Sequence, residues 1–150
     1  MLFRSAEMQS ALDSVASSAD VIVMAAAVAD FRPVSCASGK IKKDGGIPQI
    51  VLEPTPDILA ALGAAKHPGQ VLVGFAAETS DLVANASAKM RRKNLDVIVA
   101  NDVSRPGVGF EHDTNAVTFV RTTGELESLP LSSKRDVARA LLDIVVGLRA

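Results

Sequence analysis

Val21-Ile22-Val23-Met24-Ala25-Ala26-Ala27-Val28-Ala29-Asp30 opens as an unbroken apolar run and closes in small residues followed by a carboxylate. A strand with one face in water alternates apolar and polar positions; this one does not. Continuous apolar runs belong to strands covered on both faces, as in parallel sheets flanked by helices. Two more runs have the same character, Val71-Leu72-Val73-Gly74-Phe75 and Val97-Ile98-Val99-Ala100.

Helical patterns separate these runs. Met8, Ala11, Leu12 and Val15 recur at one-face spacing after a possible Ser5 cap, which predicts an amphipathic helix over residues 6 to 18. Thr55-Pro56-Asp57 reads as a helix start, with Thr55 as cap, Pro56 at the first helical position and Asp57 near the positive end of the dipole; that helix runs to about Lys66. Residues 81 to 93 form a third helix, and Val137, Leu141, Ile144, Val145 and Leu148 mark a fourth. Ala116 to Val120, Thr122-Thr123-Gly124 and Leu126 to Leu129 read as a hairpin at the sheet edge. The expected fold class is α/β: a Rossmann-like, open, mainly parallel sheet with helices on both faces and a C-terminal edge hairpin. Met1-Leu2-Phe3-Arg4 reads as the stub of a further strand, so residues 1–150 are expected to be one partial domain, incomplete at its N-terminus.

Sixteen basic against 17 acidic residues give a formal charge of -1, which provides no overall field for nucleic acid or an anionic membrane. A single cysteine, Cys36, leaves no internal disulfide, and His67 and His112 stand apart from any zinc-ligand spacing. The apolar runs fall short of the roughly 20 residues that span a bilayer, and the N-terminus has no basic-then-apolar signal pattern. A cytoplasmic protein is expected.

Ligands of open parallel sheets bind beyond the carboxyl ends of the strands. There the three runs continue into Ala27-Val28-Ala29-Asp30, Ala76-Ala77-Glu78-Thr79 and Asn101-Asp102-Val103. Small side chains admit a ligand to the backbone, and Asp30, Glu78, Asn101 and Asp102 offer acceptors. Singly these are ordinary strand-end residues; their recurrence at three strand ends points to a site. Phe75 is either a core aromatic or a ring that stacks on a base. Lys89 and Lys93 share a helix face, suited to a polyphosphate or simply to solvent.

Ser38-Gly39-Lys40-Ile41-Lys42-Lys43-Asp44-Gly45-Gly46 places three ammonium groups in a glycine-bracketed arm. It is no P-loop, since position 34 is Val34 and Ile41 follows Lys40. It suits a lid that closes over phosphates or an edge hairpin protected by lysine. A dinucleotide-binding reductase is disfavoured, because Gly107-Val108-Gly109 lacks the third fingerprint glycine and the sequence has no tyrosine.

The ordered set Ala25 to Pro33, Lys40-Ile41-Lys42-Lys43, Pro54 to Leu59, Val73 to Thr79, Lys93-Asn94-Leu95-Asp96, Ala100-Asn101-Asp102-Val103 and Gly109 to Asn115 closely resembles bacterial phosphopantothenoylcysteine synthetase. In that family this domain is usually the C-terminal half of a bifunctional coenzyme A biosynthesis protein whose N-terminal half is an FMN-dependent decarboxylase. The resemblance covers nearly the whole chain. It implies that CTP activates the carboxylate of 4'-phosphopantothenate as an acyl-cytidylate, and that L-cysteine then displaces CMP. It further implies that Ala26, Ala27, Ala29 and the backbone of Glu53, Pro54, Thr55 and Pro56 frame the nucleotide. Asp30 would orient it, Phe75 contact the base, Lys89 and Lys93 hold the phosphates, and Lys40 serve as the catalytic lysine of the arm. Mg2+ would accompany the triphosphate, with no metal ligand identified in the chain; FMN would belong to the decarboxylase half alone, and the full-length family is expected to be homodimeric. Family members carry, before the segment like Ser5-Ala6-Glu7-Met8, a strand and a Ser-Ser-Gly-Lys-Met-Gly-type phosphate loop that this sequence does not contain. The alternative expectation is a partial domain that holds a cytidine nucleotide, or partners another chain, without turnover.

Overall fold

In a computed structural model the described residues are 4–42, 46–78, 81–102 and 112–150, with Glu78 and Asp102 described by backbone alone. The elements are α1 (Ser5–Asp13), a 3-10 turn (Ala16–Ser18), β1 (Val21–Met24), β2 (Phe31–Pro33), β3 (Leu52–Pro54), α2 (Ile58–Ala65), β4 (Val71–Glu78), α3 (Leu82–Arg92), β5 (Val97–Asp102), β6 (Thr114–Arg121), β7 (Leu126–Ser133) and α4 (Lys134–Arg149). Met1 to Phe3, Lys43 to Gly45, Thr79 and Ser80, and Val103 to Glu111 lie outside the described residues, and with them most of the expected N-terminal strand stub and the first three residues of the Gly109 to Asn115 loop.

The main sheet has the order β1-β4-β5-β6-β7. The β1–β4 and β4–β5 pairs are parallel, while β5–β6 and β6–β7 are antiparallel, so a parallel nucleus is extended by the expected hairpin. Alternation along β4 splits the core into two layers. Leu72 and Ala76 face Leu59 and Leu62 of α2 and Ala86 and Met90 of α3, with Met8 and Leu12 of α1 at the margin. Val71 and Val73 face Val137, Leu141, Ile144 and Val145 of α4. Helices therefore cover both faces, as the apolar runs require.

Three local expectations are corrected. The first helix stops at Asp13 instead of continuing to Ser18, because Ser14 Oγ donates to the Ala11 carbonyl (2.7 Å) and Ser18 Oγ to that of Val15 (2.9 Å), competing with the helical ladder. Gln70 Nε2 then holds the 3-10 turn by donating to the carbonyls of Ala16 (2.7 Å) and Ala19 (2.6 Å). β1 is buried on one face only: Val23 is 42% exposed, because α4 packs against β4, β6 and β7 and does not extend over the sheet edge. Thr55 is not the cap of α2; Asp57 is, its Oδ1 accepting from the Ala60 N–H at 3.1 Å.

A separate antiparallel pair, β2 with β3, places Phe31 opposite Pro54 and Arg32 opposite Glu53. Val34 N–H donates to the Val51 carbonyl (3.0 Å), so the stem reaches one step further and the lysine arm hangs from its far end.

The junction of α2 with the end of α3 fixes one wall of the molecule. Gly63 lies so near this junction that a Cβ built on it would stand 1.8 Å from the Lys93 carbonyl oxygen. Asn94, at φ 52°, turns the chain there and its Nδ2 donates to the Gly63 carbonyl (2.9 Å). The obstructing atom is backbone and has no rotamer to adopt. Gly63→Ala should cost about 1–3 kcal/mol and lower the thermal midpoint by roughly 2–4 °C per kcal/mol; an unchanged midpoint would show that the two helices separate without cost.

Candidate functional site

A cavity of about 720 Å³ opens at the carboxyl ends of the parallel strands. Its floor is the end of β1 with the following loop as far as Asp30, together with Phe75, Ala76 and Ala77 of β4. One wall is the β3–α2 connection, Thr55 to Leu59, with Lys93 behind it; the opposite wall is α4, from Lys134 to Leu142, with Asn101 and Asn115 nearby. Ala25, Ala26, Ala27 and Ala29 are exposed and leave the loop backbone uncovered.

That loop is held in place by Thr55. Its N–H donates to the Asp30 carbonyl at 2.9 Å and its hydroxyl donates to the Ala29 carbonyl. This is what the threonine does instead of capping α2: Pro56 separates it from the helix, and the cap falls to Asp57. The loop carrying Asp30 is thereby tied to the segment that begins α2. Arg32 Nε and Glu53 Oε1, 2.7 Å apart, pair across the neighbouring stem.

Asp57 has a second partner in the cavity, since Lys93 Nζ donates to the same Oδ1 at 2.8 Å. Partial burial alone would raise the carboxyl's pKa. The Lys93 hydrogen bond, the Ala60 N–H and the charges of Lys93 and Arg92 together outweigh it and hold the group below its ordinary value of 3.8. Lys93 itself is largely covered, with 14% of its side chain exposed. On the other side, Asn101 Nδ2 makes a long contact to Asn115 Oδ1 (3.4 Å), while the buried Asn101 Oδ1 has no partner among the described residues.

Of the residues singled out from sequence, Ala26, Ala27, Ala29, Asp30, Thr55, Pro56, Phe75 and Lys93 line this one cavity. Phe75 packs on the α4-side core and also lines the cavity. Lys40, Glu53, Pro54 and Lys89 are not part of the cavity wall. Glu53 and Pro54 belong to the stem, Lys89 lies one turn before Lys93 on α3, and Lys40 sits exposed on the arm. Two charged lining residues were missed, Asp57 as a site residue and Lys134. The signal for Asp57 was present, an Asp directly before the apolar Ile58-Leu59, but the preceding threonine and proline suggested an earlier helix start. Nothing local in Ser132-Ser133-Lys134 announces a cavity.

Residues 3–148 match the DNA/pantothenate metabolism flavoprotein C-terminal domain. The chain belongs to this family. It is 45% identical over 143 residues to the coenzyme A biosynthesis bifunctional protein CoaBC of Bacillus subtilis, covering 95% of this chain and 35% of that protein. It is 43% identical over 143 residues to a cysteine/cysteine sulfinic acid decarboxylase of an unknown prokaryotic organism, covering 95% of this chain and 40% of that protein. Among solved structures, the C-terminal domain of a CoaBC protein superposes with a TM-score of 0.75 at 38% identity, over 94% of this chain and 60% of that one. The chain thus spans well under half the length of these two relatives, and the fold of the family domain is the α/β fold described above.

Asp57 gives the family domain here a measurable signature. Its carboxyl should titrate below 3.8 by NMR, and Lys93→Met should move the titration upward. With the folded value depressed, the ion pair's contribution is complete above 3.8 and is lost as pH falls through the folded value. Asp57→Asn keeps a capping side chain, so its stability deficit relative to the wild type should be present at neutral pH and close in acid. A deficit independent of pH would mean that the charge on Asp57 contributes nothing.

Proposed function

We propose that this chain supplies the nucleotide-binding and lysine-arm portion of a phosphopantothenate–cysteine ligase that works in the cytoplasm, in coenzyme A biosynthesis. The carrying observation is the one cavity that gathers Ala26, Ala27, Ala29, Asp30, Thr55, Pro56, Phe75 and Lys93 from the ends of two parallel strands, the β3–α2 connection and the end of α3. Membership in the family and the likeness to a bifunctional coenzyme A biosynthesis protein support the reading. The decarboxylase named among the relatives does not redirect it, because the matched segment is a C-terminal domain and, by the family resemblance, FMN chemistry would belong to the other half.

In the proposed reaction a carboxylate oxygen of 4'-phosphopantothenate attacks the α-phosphorus of CTP. The bond to the β-phosphate oxygen breaks, and pyrophosphate departs with its electron pair. The amine of L-cysteine then attacks the acyl carbon of the acyl-cytidylate, CMP leaves, and the amine loses a proton to give the amide. Each part of the cavity has a task. The uncovered backbone at Ala26, Ala27 and Ala29 admits the nucleotide closely, Asp30 accepts from its hydroxyl or amine groups, and Phe75 offers a ring face to the base. Lys93, with Lys89 one turn away, meets the phosphates. Lys40 descends from the arm as pyrophosphate leaves and offsets the charge that develops on it.

Among the described residues no three carboxylate, imidazole or thiol groups converge. Mg2+ keeps most of its waters and binds phosphate oxygens with few protein ligands, which fits an ion that arrives with the triphosphate. The stem and arm expose Phe31 (60%), Ile47 (98%), Ile50 (71%) and Leu52 (54%), an apolar surface suited to the homodimer expected of the family. No described helix is long and apolar enough to cross a membrane.

One observation favours a second reading, a domain that holds a cytidine nucleotide without turning it over: Lys40 stands outside the cavity wall. Pyrophosphate release separates the two. Release that requires both CTP and 4'-phosphopantothenate supports the ligase; nucleotide binding with no release under any combination supports the binding domain. In an active protein, Lys40→Gln should leave CTP affinity largely intact and cut acyl-cytidylate formation by on the order of a hundredfold. Equal loss of both would make the arm a nucleotide-holding element.

A further inference from the structure

The cavity wall carries two carboxylates, Asp30 and Asp57, and two ammonium groups, Lys93 and Lys134. Asp57 neutralises Lys93 at 2.8 Å. Lys134 is exposed and forms no ion pair with any described residue. It is therefore the cation of this wall whose charge is not already spent on a neighbouring carboxylate.

Its position in α4 is unfavourable for folding. Lys134 is the first residue of the helix, where the partial positive charge of the unpaired N–H groups favours acids and opposes cations. The rest of the start obeys the rule: Ser133 Oγ accepts from the Asp136 N–H at 3.1 Å, and Asp136 supplies the acidic first-turn residue. The helix is also firmly seated, through the buried Val137 and Leu141 and through the Lys134 N–H, which donates to the Asp113 carbonyl at 3.0 Å. A cation at the wrong end of a firmly seated helix, facing a cavity and without a counter-ion among the described residues, departs from local consistency. Such departures concentrate at functional positions.

We propose that Lys134 is a phosphate-binding residue of this cavity, gripping an anionic group from the wall opposite Lys93. The inference rests on the ligase reading for the identity of its ligands, of which two bring phosphate: the triphosphate of the nucleotide and the phosphomonoester of 4'-phosphopantothenate. With Lys134 neutralised the four charged side chains of the wall sum to -1, and a polyanion would enter against repulsion.

Titration calorimetry of the chain and of Lys134→Gln with CTP, cytidine, 4'-phosphopantothenate and pantothenate tests this. Lys134→Gln should weaken at least one phosphorylated ligand by roughly tenfold or more and flatten its salt dependence, and the ligand affected identifies which phosphate is held. Cytidine and pantothenate should bind as before, and Lys134→Arg should restore most of the loss. The thermal midpoint of Lys134→Gln should hold or rise, since an unfavourable charge leaves the helix start. A lower midpoint, or equal binding of every phosphorylated ligand by wild type and variant, overturns the proposal and leaves the ligase reading standing. Failure of the wild type to bind any of the four ligands removes the ligase reading and this inference together.

Discussion

Leu72, Val73, Val97, Ile98 and Val99 are at most 1% exposed, and they lie on two adjacent parallel strands whose side chains feed both core layers. Each such side chain contributes about 1.5–3 kcal/mol by leaving water, and β6 beside them continues both layers, with Val120 in one and Val117 and Phe119 in the other. A strand so constrained cannot slip by one residue, because a slip would exchange the set facing α2 and α3 with the set facing α4. Its carboxyl end is therefore fixed in space. The ends of β4 and of β1 beside it become the floor on which the cavity is built, and side chains shrink there to alanine because a packed core is no longer needed. Burial thus explains the site: the same strands that hold the sheet together stop where the helices stop covering them.

The fold was legible because its signal is coarse. Apolar runs without alternation specify covered strands, and the runs at Val71 and Val97 became β4 and β5 as read. The run at Val21 became a strand too, but one covered on a single face. A run of four apolar residues in β1 is compatible with either situation, and only the placement of α4 decides between them. Helix ends were less legible. Ser14 and Ser18 turn back on the carbonyls three residues earlier, and Thr55 reaches the Ala29 and Asp30 carbonyls across the chain. A short hydroxyl side chain serves as cap, turn closer or cross-chain link with equal ease, and its partner is chosen by tertiary structure.

For the site, the residues found from sequence were those at strand ends, where chain position itself implies a location. Asp30 and Phe75 follow apolar runs directly, and the structure gathers both into the cavity. Those missed depend on contacts between distant segments. The Asp57–Lys93 pair spans 36 positions and exists because Gly63 lets α2 approach the turn at Asn94. Lys134 reaches the cavity because α4 crosses the sheet with its N-terminus toward the strand ends. Neither relation leaves a periodic or local trace in the sequence, so neither could be read before the fold was known.

The β2–β3 stem divides the molecule into parts with different mechanical obligations. On its inner side, Thr55 ties the Ala29 and Asp30 carbonyls to the start of α2, and Asp57 ties that start to Lys93, so loop, helix and far wall form one continuous unit. On its outer side the stem's ion pair is itself half-exposed, and the apolar side chains of the arm find no core to enter. A contact such as Arg32–Glu53 at the surface is worth about 0–1 kcal/mol, far less than the burial that fixes β4. The stem is therefore held far more weakly than the floor and wall of the cavity. The reaction proposed above needs both a preformed pocket for its nucleotide and a cation delivered as pyrophosphate departs, opposite demands on rigidity to which a tied wall and a weakly held stem are suited.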